Sequence, residues 1–493
     1  MNVMLIFDTT YTNLPERFFT RRAASPVKAP RLLALNHALA AELGLDLDWL
    51  ESDAGLAMLA GNAFPEGAAT IAMVYAGHQF GHFSPQLGDG RALLLGEVID
   101  RNGHRRDIQL KGSGPTPYSR RGDGRAAIGP VLREYLVSEA MHALGIPTSR
   151  SLAAVATGEW IFREAAVPGG VLTRVAASHI RVGTFQFFAS RGDVEGLEAL
   201  ARYAINRHYP DAMAEANPFL GLLERVIAAQ ASLIAQWMNV GFIHGVMNTD
   251  NMTVSGETID YGPCAFMDTY DPGTVFSAID RMGRYAYGNQ PKIAHWNLAR
   301  LAEALLPLLD ENADSALEKA VAAINRFPAL FEAATTQGLR AKLGLATEEP
   351  GDLALAQDLL TLMAVGNADY TLTFRKLSDV DSEPQALESL RALFAVTGGI
   401  DSWIARWRER LTQEVLSSDE RSKAMKRANP AVIPRNHLVE EALAAASADN
   451  PDPGPFKTLL EALSRPFEDQ PEASVYAQPP KAVDPGYRTF CGT

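Results

Sequence analysis

The chain has 493 residues, of which 47% are hydrophobic and 21% charged, so it can bury a sizeable core and is not a disordered protein. Its 45 basic and 58 acidic residues give a formal net charge of −13, which argues against non-specific binding to nucleic acid or to an anionic membrane. Two cysteines are too few for a secreted disulfide framework, and we find neither a signal peptide nor roughly 18 uninterrupted apolar residues. We expect a cytoplasmic monomer that binds neither nucleic acid nor membranes.

The predicted elements begin with an N-terminal extension, residues 1–64. An amphipathic helix is expected there over residues 31–50, because apolar residues recur at three- and four-residue spacing. Residues 65–185 are expected to form a β-rich lobe, since short apolar runs alternate with glycine-rich turns. Its predicted strands are 92–99, 107–111, 151–157, 161–165 and 170–175, and its predicted helix is 131–144.

Helices dominate after residue 186. The helical period predicts helices over 197–207, 219–239, 316–326, 352–365 and 387–394. We assign residues 186–400 to a helical lobe and residues 401–493 to C-terminal helices and a tail, with a helix at 456–463. The predicted fold class is α+β, in the two-lobed layout of protein kinases.

Residues 250–260 interrupt the helical lobe with a predicted β-hairpin. Ser255 and Gly256 suit its turn, and the resulting register places Asn251 opposite Asp260, with Cβ atoms about 5 Å apart. An amide oxygen and a carboxylate at that separation suit Mg²⁺. Phosphate oxygens would complete the coordination shell of the ion. Asp250 is then free to accept a proton from a hydroxyl. The alternative is a polar surface hairpin in which these side chains serve only the turn.

The phosphate side of the predicted site lies upstream, in LGDGRALLLGE (87–97) and IQLKGSG (108–114). Glycine turns let backbone N–H groups approach phosphate oxygens, and Lys111 at a strand end adds a positive charge. Residues 101–125 hold seven basic and two acidic residues, and Arg174 and Arg181 add to this charge. Such a local excess suits an anionic ligand, although a solvated basic face is the alternative.

Two glutamates compete as the partner of Lys111. Glu134 and Glu139 lie on the same predicted helix, and helix geometry alone does not choose between them. A strand lysine, a helix glutamate, Asn251 and the Asp-Tyr-Gly of residues 260–262 parallel the kinase series. The kinase H-R-D-x-x-x-x-N is missing, because Asp250 directly precedes Asn251. A standard protein kinase is therefore not expected.

These motifs resemble the selenoprotein O family of protein adenylyltransferases, which have a kinase-like fold. The resemblance runs nearly from end to end and rests on YAGHQFGHFSPQLGDGRA (75–92), QLKGSGPTPYSRRGDGRAAIGPVLREY (109–135), HGVMNTDNM (244–252) with DYGP (260–263), and YRTFCGT (487–493). It implies transfer of AMP from ATP to Ser, Thr or Tyr hydroxyls of proteins, with Mg²⁺ or Mn²⁺. It also implies that ATP binds in a reversed sense relative to kinases, so that pyrophosphate leaves.

The resemblance also implies roles for individual residues. Asp250 would be the proton acceptor, Asn251 and Asp260 would bind the metal, and Glu134 would hold the lysine. The implied nucleotide-binding residues are Gly88, Gly90, Arg91, Lys111, Asp123, Gly124, Arg174, Arg181 and Asp260.

The two cysteines form a further implied pair. Eukaryotic members of the family carry selenocysteine near the C-terminus, where this chain has Cys491, and the resemblance suggests a regulatory disulfide with Cys264. The alternative is two unrelated reduced thiols in a reducing cytosol.

Three other functions remain open beside AMP transfer to proteins. They are UMP transfer with Mn²⁺, ordinary phosphoryl transfer, and a non-catalytic nucleotide-binding scaffold. His78 and His82 have the spacing of two metal ligands on a helix, but Gly81 and Pro85 disfavour a helix there. We therefore expect these histidines to be structural.

Overall fold

The computed structural model describes residues 7–383, 385–448, 450–481 and 486–490. The first part of the chain supplies most of the sheet, and the rest is largely helical. Its strands are β1 (Phe19–Arg21), β2 (Arg31–Leu35), β3 (Ile71–Met73), β4 (Gly77–Gln79), β5 (His82–Ser84), β6 (Ala92–Ile99), β7 (Arg105–Lys111), β8 (Ala126–Ala127), β9 (Arg150–Phe162), β10 (Ala166–Ala176), β11 (Phe242–Ile243) and β12 (Ala265–Phe266).

One antiparallel sheet organises the first part of the chain. Its order is β1-β3-β6-β7-β10-β9-β2, and β8 pairs with β10. Strands β4 and β5 form a separate hairpin, and the short strands β11 and β12 pair as a further two-stranded sheet. Residues before 65 therefore contribute β1 and β2 to the same sheet as the predicted β-rich lobe.

The helices follow mainly after this sheet. They are α1 (His37–Glu42), α2 (Leu47–Glu51), α3 (Asp53–Ala60), α4 (Ile128–Ala143), α5 (Val182–Ala189), α6 (Val194–His208), α7 (Pro218–Val240), α8 (Gln290–Leu309), α9 (Ala313–Ile324), α10 (Phe327–Leu343), α11 (Asp352–Val365), α12 (Tyr370–Leu377), α13 (Ala386–Arg391), α14 (Ile400–Leu411), α15 (Ser418–Ala428), α16 (Asn436–Ser447) and α17 (Gly454–Leu463). A sheet followed by a helical region makes this a mixed protein consistent with the predicted α+β class.

The prediction of one helix over residues 31–50 is wrong. Arg31–Leu35 instead pairs with β9 at the sheet edge, and two short helices follow. Asn36 caps α1 by accepting a hydrogen bond from Leu39 N at 3.0 Å, and Asp46 caps α2 in the same way through Trp49 N at 3.2 Å. Edge pairing and these caps divide a stretch whose apolar spacing alone suggested continuity.

Helix α4 packs between the sheet and the C-terminal helices. This helix contacts β9 and β10 on one side and α16 and α17 on the other. Its buried residues join the largest apolar core, which continues into α7 and α8. The sheet and the helical region are thus packed into one continuous core, and segments between them are held on both sides.

Helix α7 is long and apolar enough to span a membrane by length and composition alone. It carries Glu224, Arg225 and Gln230, and its apolar residues pack into the main core. Trp237 on this helix donates a hydrogen bond to Thr258 Oγ1 at 2.9 Å. These contacts are those of a core helix in a globular protein.

Candidate functional site

A cavity of about 750 Å³ lies between the sheet and the segment 244–263. Of the residues predicted to be catalytic or to bind nucleotide or metal, the following all line it: Gly88, Gly90, Arg91, Lys111, Asp123, Gly124, Arg174, Arg181, Asp250, Asn251 and Asp260. Eight basic and four acidic side chains line the cavity, in a chain whose net charge is −13. The local excess of positive charge suits a polyanionic ligand.

Three cationic side chains converge on the carboxylate of Asp260. Lys111 Nζ lies 3.0 Å and Arg174 Nη2 2.6 Å from Oδ1, while Arg181 Nη1 lies 2.7 Å from Oδ2. Burial opposes ionisation of Asp260, but the three cations outweigh it and hold its pKa well below the usual value. The carboxylate is therefore charged and tightly held.

Glu134 is the glutamate that contacts Lys111. Its Oε2 accepts a hydrogen bond from Lys111 Nζ at 2.6 Å, and its Oε1 accepts one from Arg174 Nε at 2.8 Å. Glu139 instead pairs with Arg150 at 2.7 Å, away from the cavity lining. Burial opposes ionisation of Glu134, yet Arg174 and Lys111 keep its pKa below the usual value.

Arg181 links the two aspartates of the segment 250–260. Its Nη1 donates to the backbone oxygen of Asp250 at 2.7 Å as well as to Asp260. The guanidinium carbon lies 4.7 Å from the ring centroid of Tyr75, a cation–π contact. Arg181 is buried, so its charge is fixed by these neighbours rather than by water.

Only one of the two carboxylate oxygens of Asp250 has a hydrogen-bond partner among the described residues. Its Oδ2 accepts a hydrogen bond from Gln79 Nε2 at 3.0 Å. Its Oδ1 is buried and has no hydrogen-bond partner within the described residues. Burial raises the pKa of Asp250 to about 6. The Asp250 side chain lines the cavity, and its unpaired Oδ1 packs against Gly77.

Sequence reasoning missed the contribution of the β4–β5 hairpin. His78 N donates to Thr249 Oγ1 at 2.7 Å, and Phe80 N donates to Asn248 Oδ1 at 3.0 Å. With Gln79, these contacts fix the backbone on which Asp250 sits. The residues lie inside the quoted motif 75–92, but that stretch gave no signal that it pairs with residues 248–250.

The predicted hairpin over residues 250–260 is wrong in its pairing. Thr253 pairs with Arg181, and Thr258 pairs with Thr148, so neither arm forms a ladder with the other. The turn itself is closed by the Thr253 hydroxyl, which donates to Glu257 O at 2.6 Å. Outside partners thus replace the cross-strand register, although Asn251 and Asp260 still line the same cavity.

The glycine segments form the opposite wall. A methyl group on Gly88, at φ +123°, would lie 2.6 Å from the Tyr118 ring, and one on Gly124, at φ +66°, would lie 2.1 Å from the Gly114 carbonyl carbon. Only glycine allows these close approaches. Asp123 is paired with Arg163 at 2.9 Å and lies at the edge of this wall.

Across residues 7–383, 385–448, 450–481 and 486–490, no three His, Cys, Asp or Glu side chains form a group that could hold a metal ion. Asn251 Nδ2 donates to Val246 O at 3.0 Å, which fixes its amide. His78 lies on β4 and pairs with Gln186, so the histidine pair of residues 78 and 82 is not on a helix.

Cys264 is buried beside the cavity, and burial raises the pKa of its thiol to about 12. Cys491 lies outside the described residues. The adjacent tail is held close to Cys264, because Thr489 Oγ1 donates to Pro263 O at 2.6 Å.

Comparisons with known proteins agree over the whole chain. Residues 2–464 match the family described as protein adenylyltransferase SelO. A protein nucleotidyltransferase YdiU of Methylorubrum extorquens is 62% identical over 499 residues, covering 100% of both chains. The YdiU of Rhodopseudomonas palustris (strain BisB5) is 61% identical, again over 100% of both. That of Rhizobium leguminosarum bv. trifolii (strain WSM2304) is 60% identical over 99% of this chain and 97% of its own.

The close approach of α5 to the segment before β4 gives a first prediction. A methyl group on Gly183 would lie 2.1 Å from Ala76 O, a backbone atom, and 3.4 Å from Asp250 Cα. Gly183→Ala should lower the free energy of unfolding by about 1–3 kcal/mol, as overpacking does. Alanine otherwise favours a helix by about 1 kcal/mol, so a net loss reports the clash.

Denaturant unfolding of the wild type and both glycine variants provides the measurement. Gly398→Ala is the matched control, because nothing lies within 4 Å of its added methyl and its φ is not positive. We expect the control to stay within about 0.5 kcal/mol of the wild type. Equal stability of the two variants would contradict the close approach.

Proposed function

The chain belongs to the SelO family of protein adenylyltransferases and is a nucleotidyltransferase, and from this premise we propose how its cavity works. The reaction is transfer of AMP from ATP to a Ser, Thr or Tyr hydroxyl of a protein. The observation that carries the proposal is the pairing of two features in one cavity: three cations around Asp260, and a buried carboxylate oxygen of Asp250 without a partner among the described residues.

The triphosphate would bind at the positive wall. Lys111, Arg174 and Arg181 are the charges around Asp260, and the burial of Arg174 and Arg181 makes their attraction for phosphate stronger. Backbone N–H groups at Gly88 and Gly124 would approach phosphate oxygens where a side chain could not fit. Gly90, whose N–H donates to Gly88 O at 2.7 Å, lies on the same wall. We assign Arg91 and Asp123 to the same wall, as nucleotide contacts.

The acceptor hydroxyl would donate to the carboxylate of Asp250, which lines the cavity. As its oxygen attacks the α-phosphorus, the proton passes to Asp250, the bond from the α-phosphorus to the bridging oxygen breaks, and pyrophosphate leaves. Gln79 holds the other carboxylate oxygen and so acts as a positioning residue. Arg181, bound to the backbone of the same aspartate, neutralises charge that develops on the phosphate.

A divalent cation fits the donor set of the cavity. Asn251 offers an amide oxygen and Asp260 a carboxylate, which are the hard oxygen ligands that Mg²⁺ or Mn²⁺ takes, with phosphate oxygens completing the shell. When bound, such an ion supplies charge neutralisation at the phosphates. The residues' own task is to present these oxygens at the cavity wall, which the Asn251–Val246 hydrogen bond does for the amide.

We propose that the fold is a two-lobed kinase-like one. A strand lysine bound to a helix glutamate, followed by Asn251 and an Asp-Tyr-Gly, supports this layout. The proposed parts are residues 1–64, 65–185, 186–400 and 401–493. ATP reversed relative to kinases would direct its α-phosphorus at Asp250.

A cytoplasmic monomer that binds neither nucleic acid nor membranes is part of the same proposal. The net charge of −13 supports the exclusion of nucleic acid and of membranes as partners.

ATP labelled at either the α- or the γ-phosphate tests the reaction. Label from the α position should stay on the protein acceptor, and label from the γ position should leave with pyrophosphate. Asp250→Asn should lower transfer about 10²- to 10⁴-fold, the usual contribution of a general base. Asp314→Asn, an exposed aspartate, is the control and should have no effect. Retention of γ label alone would replace this proposal with phosphoryl transfer.

Metal dependence provides a separate prediction. Chelation should abolish transfer, and Mg²⁺ or Mn²⁺ should restore it. Asn251→Ala should raise the metal concentration for half-maximal transfer about 10-fold or more, because it removes one oxygen ligand. Asn325→Ala, on an exposed helix end, serves as control. An unchanged metal titration of Asn251→Ala would remove this residue from the metal site.

The cysteine pair yields a redox prediction. We propose that Cys264 and Cys491 form a disulfide, with oxidised glutathione accepting the two electrons. Because burial holds the pKa of Cys264 at about 12, little thiolate exists at neutral pH and formation should be slow. Mass spectrometry of non-reduced peptides should detect the linked pair in the wild type and not in Cys264→Ser. Absence of the linked peptide after prolonged oxidation would favour two independent thiols.

A further inference from the structure

Three apolar side chains remain exposed on the β4–β5 hairpin and on the loop that Asn248 joins to it, and one of them, Ile279, lines the cavity. They are Phe83 on β5, and Ile279 and Met282 in the loop that precedes α8; we refer to them as the apolar rim. Ile279 is 52% exposed and also lines the cavity, while Met282 is 92% exposed. We infer that the apolar rim docks the acceptor protein through a large apolar side chain close to its acceptor hydroxyl. This inference rests on the proposed function.

The loop presents these side chains from a fixed backbone. Buried Asp280 accepts hydrogen bonds from Arg284 N at 2.9 Å and Tyr285 N at 2.7 Å. On the other side, Ala278 N donates to Thr489 O at 2.9 Å. These hydrogen bonds fix the backbone of the loop, and the side chains of residues 279 and 282 are exposed on it. Exposed apolar side chains on an ordered loop beside a site are typical of a contact surface.

Asn248 connects the apolar rim to Asp250. Its amide oxygen accepts hydrogen bonds from Phe80 N at 3.0 Å and from the Tyr285 hydroxyl at 2.6 Å. The rings of Phe80 and Tyr285 lie 5.1 Å apart. One side chain, two residues before Asp250, thus holds both the hairpin that carries Phe83 and the loop that carries Ile279.

The occupant follows from the reaction. A transferase that modifies proteins must receive a protein at the mouth of this cavity, and the hydroxyl must reach the carboxylate of Asp250. Gly77 of the β4–β5 hairpin packs against that carboxylate, and Asn248 joins the hairpin to the loop that bears Ile279. An apolar side chain next to the acceptor hydroxyl would therefore meet apolar partners there and remove them from water.

A second exposed apolar pair lies on the other side of the mouth, at Trp160 and Phe162. This strand end is tied to the glycine wall, because Arg163 pairs with Asp123 at 2.9 Å and donates to Arg125 O. Its position assigns it to the nucleotide side rather than to Asp250. It provides the competing location for the acceptor.

Synthetic peptides with one acceptor hydroxyl test the inference. Leu and Gln are exchanged at each of about three positions on either side, and transfer of α-phosphate label is measured for the wild type, Ile279→Ser with Met282→Ser, and Phe162→Ser. We expect the wild type to prefer Leu at one or more positions. The double variant should lose that preference, with kcat/KM for the Leu peptide falling about 10-fold or more and KM for ATP unchanged. Val415→Ser is the control, an exposed valine outside the cavity lining.

Peptide binding to the Asp250→Asn protein, measured by fluorescence anisotropy, separates docking from chemistry. Binding that favours Leu and is lost in the double variant supports the apolar rim, whichever phosphate label is transferred. A wild type without preference, or a preference lost only in Phe162→Ser, overturns it. If the wild type transfers no α label, the proposed function fails, and the binding result still decides the docking surface.

Discussion

A buried cluster of opposite charges holds the candidate site together. Each of its members, if left alone out of water, would carry a desolvation cost of several kcal/mol. Asp260 is therefore stable only with Lys111, Arg174 and Arg181 around it, and two of these cations also need Glu134. Removing one partner from such a cluster typically costs about 3–5 kcal/mol, whereas the intact cluster adds little net stability. Its role is to specify one arrangement.

The sheet register explains why this arrangement forms. Strands β7 and β10 are antiparallel neighbours, with Leu172 opposite Lys111 and Arg174 opposite Gln109. Residues two apart on one strand share a face, so Lys111 and Arg174 lie diagonally across the same face of the sheet. Helix α4 packs over this region and brings Glu134 to both. Phosphates entering the cavity would meet cations whose positions the backbone has already fixed.

How far the sequence predicts this site depends on how local the signal is. Strand β6 and helix α11 have the predicted bounds, because their periodicity lies within one element. The family and the nucleotidyltransferase class are confirmed, since long contiguous motifs carried them. The assigned roles of the site residues stay predictions. The choice between Glu134 and Glu139 depends on how α4 packs against the sheet, which the sequence of the helix does not give. The predictions of a helix over residues 31–50 and of a hairpin over residues 250–260 are wrong because distant segments supply the pairing partners.

Asp250 differs from Glu134 and Asp260 because one of its carboxylate oxygens has no hydrogen-bond partner among the described residues. Every carboxylate oxygen of Glu134 and Asp260 has a cationic partner, so both carboxylates are paired before a ligand enters. Asp250 gives one oxygen to Gln79 and keeps the other buried, with no donor among the described residues, an arrangement that costs about 1–3 kcal/mol. A hydroxyl donor would recover that cost on binding. The missing hydrogen bond is confined to Asp250, the proposed proton acceptor. The surrounding hairpin, loop and α5 are held by their own hydrogen bonds. The fold therefore leaves a hydrogen-bond acceptor unsatisfied in the cavity-lining side chain that is the proposed proton acceptor.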